Sequence, residues 1–331
     1  MGEWDEDPIH TLYLGGGTPS LLPADLVQVI VAEFLGGREG GHVGSVEVTI
    51  EANPEDVTPE VAAAWVAAGV NRVSLGAQSF DERVLAWMHR SHGSQATENA
   101  VRVLREVGVP SVSLDLIFGL PDKLNADFED SLAAALALEP DHLSVYGLTA
   151  EPRTAYARLL ARDAVRAAHD DRYVEEFLAT HERLISAGYE HYEVSNYGRP
   201  GHQSRHNRAY WTGAPYAGLG PSAHRFRPGE RSWNVPAWAA YERLLRTGRD
   251  PTEARESLTP AEQRLEQVYL GLRTAEGLEL EDRRRGRDEV LRQAVAKGWL
   301  EEHAGRVRAT AAGWLRLDEL VTALTTLSEG G

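Results

Sequence analysis

Over the first two hundred residues, short apolar, β-branched runs alternate with longer Ala- and Leu-rich stretches of helical periodicity. The runs Thr11–Leu14, Val46–Ile50, Arg72–Leu75, Ser111–Phe118 and His142–Tyr146 predict strands, with a further strand near Tyr189–Val194. Between them, Pro59–Ala68, Asn99–Val107, Asp127–Leu138 and Arg172–Ala187 predict helices. A spacing of about thirty residues per unit is the length of a right-handed βαβ crossover. Five or six such units predict an α/β fold, a parallel sheet curled into a partial (β/α)6-type, TIM-like barrel.

The pattern breaks at Gly198, and from there to about Arg231 the chain is rich in Gly, Pro, His, Arg and aromatic residues. Beyond Asp250, Thr259–Arg273 and Arg287–Lys297 predict helices and Trp299–Ala309 a short hairpin. The expected organisation is a barrel over 1–198, a His-, Arg- and aromatic-rich connecting segment over 199–250, and a small α+β, winged-helix-like domain over 251–331.

Composition narrows the function classes. The chain is 42% apolar and 25% charged, as ordinary globular proteins are. It has no apolar run of about eighteen residues, so no membrane span is expected. Its acidic start lacks the apolar core of a signal peptide, which makes the cytoplasm the expected location. A net charge of −16 argues against a surface that tracks nucleic-acid phosphates. The basic run Arg283–Arg287 is flanked by acidic residues and reads as a solvated helix start. The sequence contains no cysteine, which excludes disulfides, thiolate zinc sites and a conventional iron–sulfur cluster held by this chain.

In parallel βα architectures the ligand site lies at the carboxyl ends of the strands. Reading each strand to its end yields Gly15-Gly16-Gly17-Thr18-Pro19, then Glu51, then Gln78, then Asp115 inside an apolar run, then Tyr146 and Thr149. Each has a structural reading: a tight turn, a helix cap, a hydrogen-bonded core carboxylate. Their convergence on one rim favours a polar small-molecule site. Ser20 stands where a dinucleotide fingerprint has its third glycine, and no Gly-Lys-Ser/Thr follows as in a P-loop. Arg90 is either a clamp for a ligand carboxylate or a surface ion-pair partner.

The segment after Gly198 holds Arg199, Arg205, Arg208, Arg225, Arg227 and Arg231, opposed by Glu230. His202, His206 and His224 share it, with Tyr197, Tyr210, Trp211, Tyr216 and Trp233 in or beside it. Haem offers an aromatic plane, an iron that accepts imidazole and propionates that suit arginine. Three readings stand here: a haem-handling patch, a crossover packed by its aromatics whose arginines pair with Asp and Glu, or, more weakly, a zinc site through His202 and His206, a pair that lacks the Glu of H-E-x-x-H and any thiolate.

In order along the chain, the strings Tyr13-Leu-Gly-Gly-Gly-Thr-Pro-Ser-Leu-Leu22, Glu51-Ala-Asn-Pro54, Asn71-Arg-Val-Ser-Leu-Gly-Ala-Gln-Ser-Phe80 and Arg90-Ser-His92 are followed by Asp115-Leu-Ile-Phe-Gly-Leu-Pro121. Leu143-Ser-Val-Tyr146, Glu193-Val-Ser-Asn-Tyr197, His206-Asn-Arg-Ala-Tyr-Trp211 and Gly218-Leu-Gly-Pro-Ser-Ala-His224 complete the set. With them the chain resembles the coproporphyrinogen-oxidase-like branch of the radical S-adenosylmethionine (SAM) family, and within it the HemW-type haem chaperones. The resemblance implies that Gly16, Gly17 and Thr18 hold the methionyl amino group of SAM and Glu51 its ribose. It also implies that Gln78, Arg90 and Asp115 complete the pocket, with Thr149 and His224 near the adenosyl moiety. Haem would be handled by His206, Asn207, Tyr210 and Trp211, and the last domain would be of HemN type. The family carries a C-x-x-x-C-x-x-C loop for a [4Fe-4S] cluster before its Gly-Gly-Gly-Thr-Pro strand; the expectation here is a chain that starts late, without that first βα unit. The implied function is a haem chaperone that binds SAM and haem and delivers haem to an acceptor protein. The alternative is an oxygen-independent coproporphyrinogen III dehydrogenase of porphyrin biosynthesis.

Overall fold

A computed structural model describes residues 8–36, 46–124, 126–152, 154–279 and 285–326; Arg283 and Arg284 of the basic run and the acidic start of the chain lie outside the described residues. The chain forms two compact units that divide between His206 and Asn207.

The first unit runs β1 (Thr11–Leu14), α1 (Ala24–Leu35), β2 (Glu47–Ala52), α2 (Pro59–Ala68), β3 (Arg72–Gln78), α3 (Glu82–Trp87) and α4 (Ser94–Glu106). It continues with β4 (Ser111–Phe118), α5 (Phe128–Ala137), β5 (His142–Gly147), α6 (Ala155–Ala161), α7 (Asp170–Ser186), β6 (Glu190–Glu193) and β7 (Asn196–Gly198). Strands β1 to β5 lie side by side in chain order and all parallel, the half-barrel that the βα alternation predicts. The strand expected near Tyr189–Val194 forms as β6, but it takes the outer edge. Its hairpin partner β7 returns antiparallel against β5, because a tight turn joins antiparallel strands without a crossover.

Local chemistry sets the helix ends. In α2 the Thr58 hydroxyl accepts the Val61 amide, Pro59 opens the first turn, and Gly69 closes the helix at φ 99°. Gly69 adopts this left-handed conformation without the steric cost that a side chain would bring.

The strands are not apolar throughout. In β2 to β5 one face carries Val48, Ile50, Val73, Leu75, Val112, Leu114, Leu116, Leu143 and Val145, all buried. The other face carries Glu47, Thr49, Glu51, Arg72, Ser74, Ser111, Ser113, Asp115, His142, Ser144 and Tyr146. A strand turns successive side chains to opposite faces, so this alternation makes the inner surface of the half-barrel polar. Asp115 is therefore one member of a polar row rather than an exception in an apolar run.

Helix α8 (Arg205–Trp211) carries the chain into the second unit. There β8 (His224–Arg227), β9 (Glu230–Asn234), α9 (Trp238–Arg246) and β10 (Thr252–Ser257) follow, with an antiparallel sheet in the order β10-β9-β8. The remaining elements are α10 (Pro260–Leu272), β11 (Leu278–Glu279), α11 (Arg285–Ala296), β12 (Leu300–His303), β13 (Arg306–Ala309), α12 (Ala311–Trp314) and α13 (Leu317–Thr326). Helices beside a small sheet ordered β11-β13-β12 make the α+β, winged-helix-like end. A reciprocal Thr259–Glu262 capping box starts α10, and Trp314 Nε1–H donates to the Leu272 carbonyl at 2.8 Å. No helix among the described residues is long and apolar enough to cross a membrane.

Candidate functional site

At the carboxyl ends of β1 and β2 the glycine loop meets Glu51. The Tyr13 hydroxyl donates to Glu51 Oε1 at 2.7 Å, and the Gly16 amide donates to Glu51 Oε2 at 3.1 Å. Both carboxylate oxygens are thereby held in place at the rim. Gly16 and Gly17 sit at φ 78° and 70°, with open space where a Cβ would stand. Their exposed backbone can approach a ligand closely. Thr18 heads a short 3-10 turn, Pro19–Leu21, without spending its hydroxyl on the cap.

Next along the inner face, the Ser74 hydroxyl donates to Asp115 at 3.0 Å, and Ser144, opposite Asp115 in the β4–β5 register, is a second hydrogen-bond partner. Burial pushes the Asp115 carboxyl up to about 6, the two serines oppose that shift, and the Glu51 charge adds to it. Burial likewise raises the Tyr13 and Tyr146 phenols, Tyr13 with help from Glu51 and Tyr146 from Asp115. Tyr13, Glu51, Asp115 and Tyr146 therefore form one electrostatic group.

Gln78 ends β3 after a register shift and adopts φ 65°, a conformation uncommon for a residue with a side chain. A Cβ at Gly76 would come 2.8 Å from Gln78 Nε2, so glycine there leaves room for the Gln78 side-chain amide in this position. Arg90 is half-buried, donates to Asn53 Oδ1 at 3.3 Å, and forms no ion pair among the described residues. Thr149 is exposed and its hydroxyl returns to the Gly147 carbonyl at 3.1 Å.

Below the rim, the segment that leads into α8 is fastened inside the half-barrel. Glu47 accepts the backbone N–H groups of Arg205 and His206, each at 2.9 Å. His206 Nδ1 lies 2.8 Å from Thr11 Oγ1, and its ring stacks on Tyr13 at 4.7 Å and 18°. Burial lowers its imidazole pKa against the pull of Glu47. A second tether runs from Ser113 through both nitrogens of His142 to Tyr192, at 2.8 and 2.7 Å, and Tyr192 accepts the Ser204 amide at 3.2 Å. Burial holds His142 neutral, which suits a ring that must donate at one nitrogen and accept at the other.

In the second unit a cleft of about 430 Å³ is walled by Tyr210, Trp211, Tyr216, His224, Phe226 and Trp233. His224 and Phe226 point to one side of β8, and the register opposes His224 to Trp233 and Phe226 to Arg231. Tyr210 meets Tyr216 edge-on at 4.7 Å, and Arg273 covers Trp211 at 4.4 Å. Arg231 lies in this cleft already paired with Glu256 and Glu266. Arg208 pairs with Glu276, Arg225 with Asp250, and Arg199 lies over Tyr189. The second reading of the basic segment, arginines paired with acids, thus describes Arg208, Arg225 and Arg231. Of the motif residues, His206 belongs to the first unit, while Asn207, Tyr210 and Trp211 belong to the second.

The chain is 37% identical over 325 residues to a heme chaperone HemW of Mycobacterium tuberculosis, covering 97% of this chain and 82% of that one. It belongs to the HemW family. A heme chaperone HemW of Bacillus subtilis is 31% identical over 270 residues, covering 82% of this chain and 71% of that protein. Residues 1–135 match the radical SAM superfamily and residues 258–316 the HemN C-terminal domain. Among solved structures, the radical SAM enzyme coproporphyrinogen III oxidase HemN of Escherichia coli shares the fold, with a TM-score of 0.76 at 20% identity over 96% of this chain and 78% of that one.

The radical SAM family implies SAM and a [4Fe-4S] cluster. The rim fits SAM in kind: glycine backbone with open space where a side chain would stand, an anchored carboxylate, and further carboxyl and guanidinium groups. The cluster finds no ligand set, because its thiolates have no source in a sequence without cysteine.

The residues that sequence reasoning missed are Tyr13, Glu47, Ser74 and Ser144. Their signal was the period-two alternation of β1 to β5, which the expectation of parallel strands buried on both faces hides.

Proposed function

We propose that this chain is a HemW-like haem carrier that holds SAM on the barrel rim, holds haem in the second unit, and hands haem to an acceptor protein. The observation that carries the reading is the aromatic cleft. Two of its walls, Tyr210 and Trp211, come from the string that marks the chaperone-like branch, and its rings suit a flat aromatic cargo.

SAM brings an amino-acid end, a ribose and a positive sulfonium charge. Gly16, Gly17 and Thr18 present backbone groups for its amino-acid end, and Arg90 a guanidinium for its carboxylate. Glu51 offers acceptors for ribose hydroxyls, and Asp115 is the carboxyl through which the pocket senses added positive charge. Gln78 and Thr149 close the rim. In this reading SAM and haem are held by different residues of the chain, and delivery takes place in the cytoplasm.

Titration of the purified protein with ferric haem, followed at the Soret band, and with SAM, followed by calorimetry, tests it. Saturable uptake of one haem, and its release to an apoprotein of higher haem affinity, is the expected result. Absence of saturable haem uptake ends the proposal, and conversion of coproporphyrinogen III would favour the dehydrogenase reading instead.

A further inference from the structure

The cleft and the His206 motif contribute imidazoles of very different character. His206 stands at the barrel floor with its ring stacked on Tyr13, its Nδ1 engaged by Thr11 and its backbone fastened by Glu47. Turning that ring toward an iron would break a stack and a hydrogen bond at once. His224 is exposed, sits on β8 in the aromatic cleft, and contacts Trp233 at 5.7 Å and 31°. It is the one imidazole among the residues lining that cleft.

We infer that His224 supplies the axial nitrogen to haem iron in this cleft, where Tyr210 and Trp211 form a wall against the porphyrin plane, and that His206, held by Thr11, Tyr13 and Glu47 within the first unit, does not ligate the iron. The inference rests on the haem-carrier reading and deepens it; it replaces the adenosyl-side role that the resemblance implies for His224. An imidazole nitrogen is a common haem ligand, and surrounding rings contribute apolar area and offset stacking to the macrocycle. Arg231 is neutralised by Glu256 and Glu266 within the same cleft, so binding draws on the rings and the iron bond more than on propionate pairing.

The test uses the full chain with ferric haem as probe. His224→Ala is expected to lose the histidine-ligated Soret and electron-paramagnetic-resonance signature and to bind haem about tenfold more weakly. Added imidazole restores the signature, a rescue that a merely structural defect would not show. SAM affinity stays at the wild-type level. His206→Gln keeps the iron-ligation signature. Loss of the signature in His206→Gln with its retention in His224→Ala overturns the inference, as does retention in both. A His224→Ala variant that loses SAM affinity but not haem ligation overturns it in favour of the adenosyl-side role. Failure of the wild-type protein to take up haem at all is a separate outcome, which removes the carrier reading and this inference with it.

Discussion

Glu51 is the acceptor on which the rim converges, with each oxygen already oriented by one donor, Tyr13 or Gly16. An oriented carboxylate has lost its rotamer freedom before the ligand arrives, which favours affinity. Glu51→Gln is expected to weaken SAM binding about tenfold, or roughly 1.4 kcal/mol, as measured by calorimetry; wild-type affinity would exclude Glu51 from the site. Asp115 carries the opposite strain. Its carboxyl is pushed up to about 6 by burial, so the folded protein retains a proton that the unfolded chain has already released. Its contribution to stability is complete below the ordinary carboxylate pKa and is lost as the pH rises through that raised value. Asp115→Asn is therefore expected to melt with the wild type near pH 4 and above it near pH 7.5, by roughly 1–2 kcal/mol. Melting curves at the two pH values check this, and a gap that is equal at both would refute it. A carboxylate kept at such a cost is consistent with a site that binds a cation.

At the scale of elements, Arg205 and His206 at the start of α8 are held by a strand that is far from them in sequence. The Glu47 carboxylate takes two backbone donors at the start of the helix. Glu47→Ala leaves those donors without their acceptor, and the unfolding midpoint in guanidinium should fall by about 1–3 kcal/mol of stability; an unchanged midpoint contradicts the tether. Gly218 packs so closely under β8 that a Cβ would lie 1.9 Å from the His224 carbonyl oxygen. Gly218→Ala should displace β8, diminish the near-ultraviolet circular dichroism of the aromatic cleft and reduce haem uptake. A wild-type spectrum would show that the strand gives way without cost. The βα alternation was legible in sequence because each unit is local: Thr11–Leu14, Pro59–Ala68 and Ser111–Phe118 fold over the residues that periodicity predicts. Strand β7 was not legible, since its place between β5 and β6 depends on partners fifty residues away.

For the whole molecule, the net charge of −16 sets a background against which any anionic partner must work. The chain should not be retained by duplex DNA at about 0.15 M salt, as a mobility-shift titration would show; salt-sensitive retention would reveal a basic surface that the described ion pairs do not. The division between His206 and Asn207 splits the motif across the two compact units. His206 packs with Thr11 and Tyr13 in the first, whereas Tyr210 and Trp211 line the cleft of the second. The basic segment is similarly reassigned, because Arg208, Arg225 and Arg231 each meet an acid distant in sequence.

From the sequence alone came the alternation of β1 to β5 with helices, the rim candidates Gly16, Gly17, Glu51, Gln78 and Asp115, and the family those strings identify. These follow from periodicity and from residues adjacent in the chain. Tertiary structure alone decided that Asp115 belongs to a polar inner face, that Tyr13 joins Glu51 to His206, and that His224 looks into an aromatic cleft. Each of these depends on which side chains meet across the sheet, and residues as far apart as Thr11 and His206 become neighbours only when the chain has closed around them.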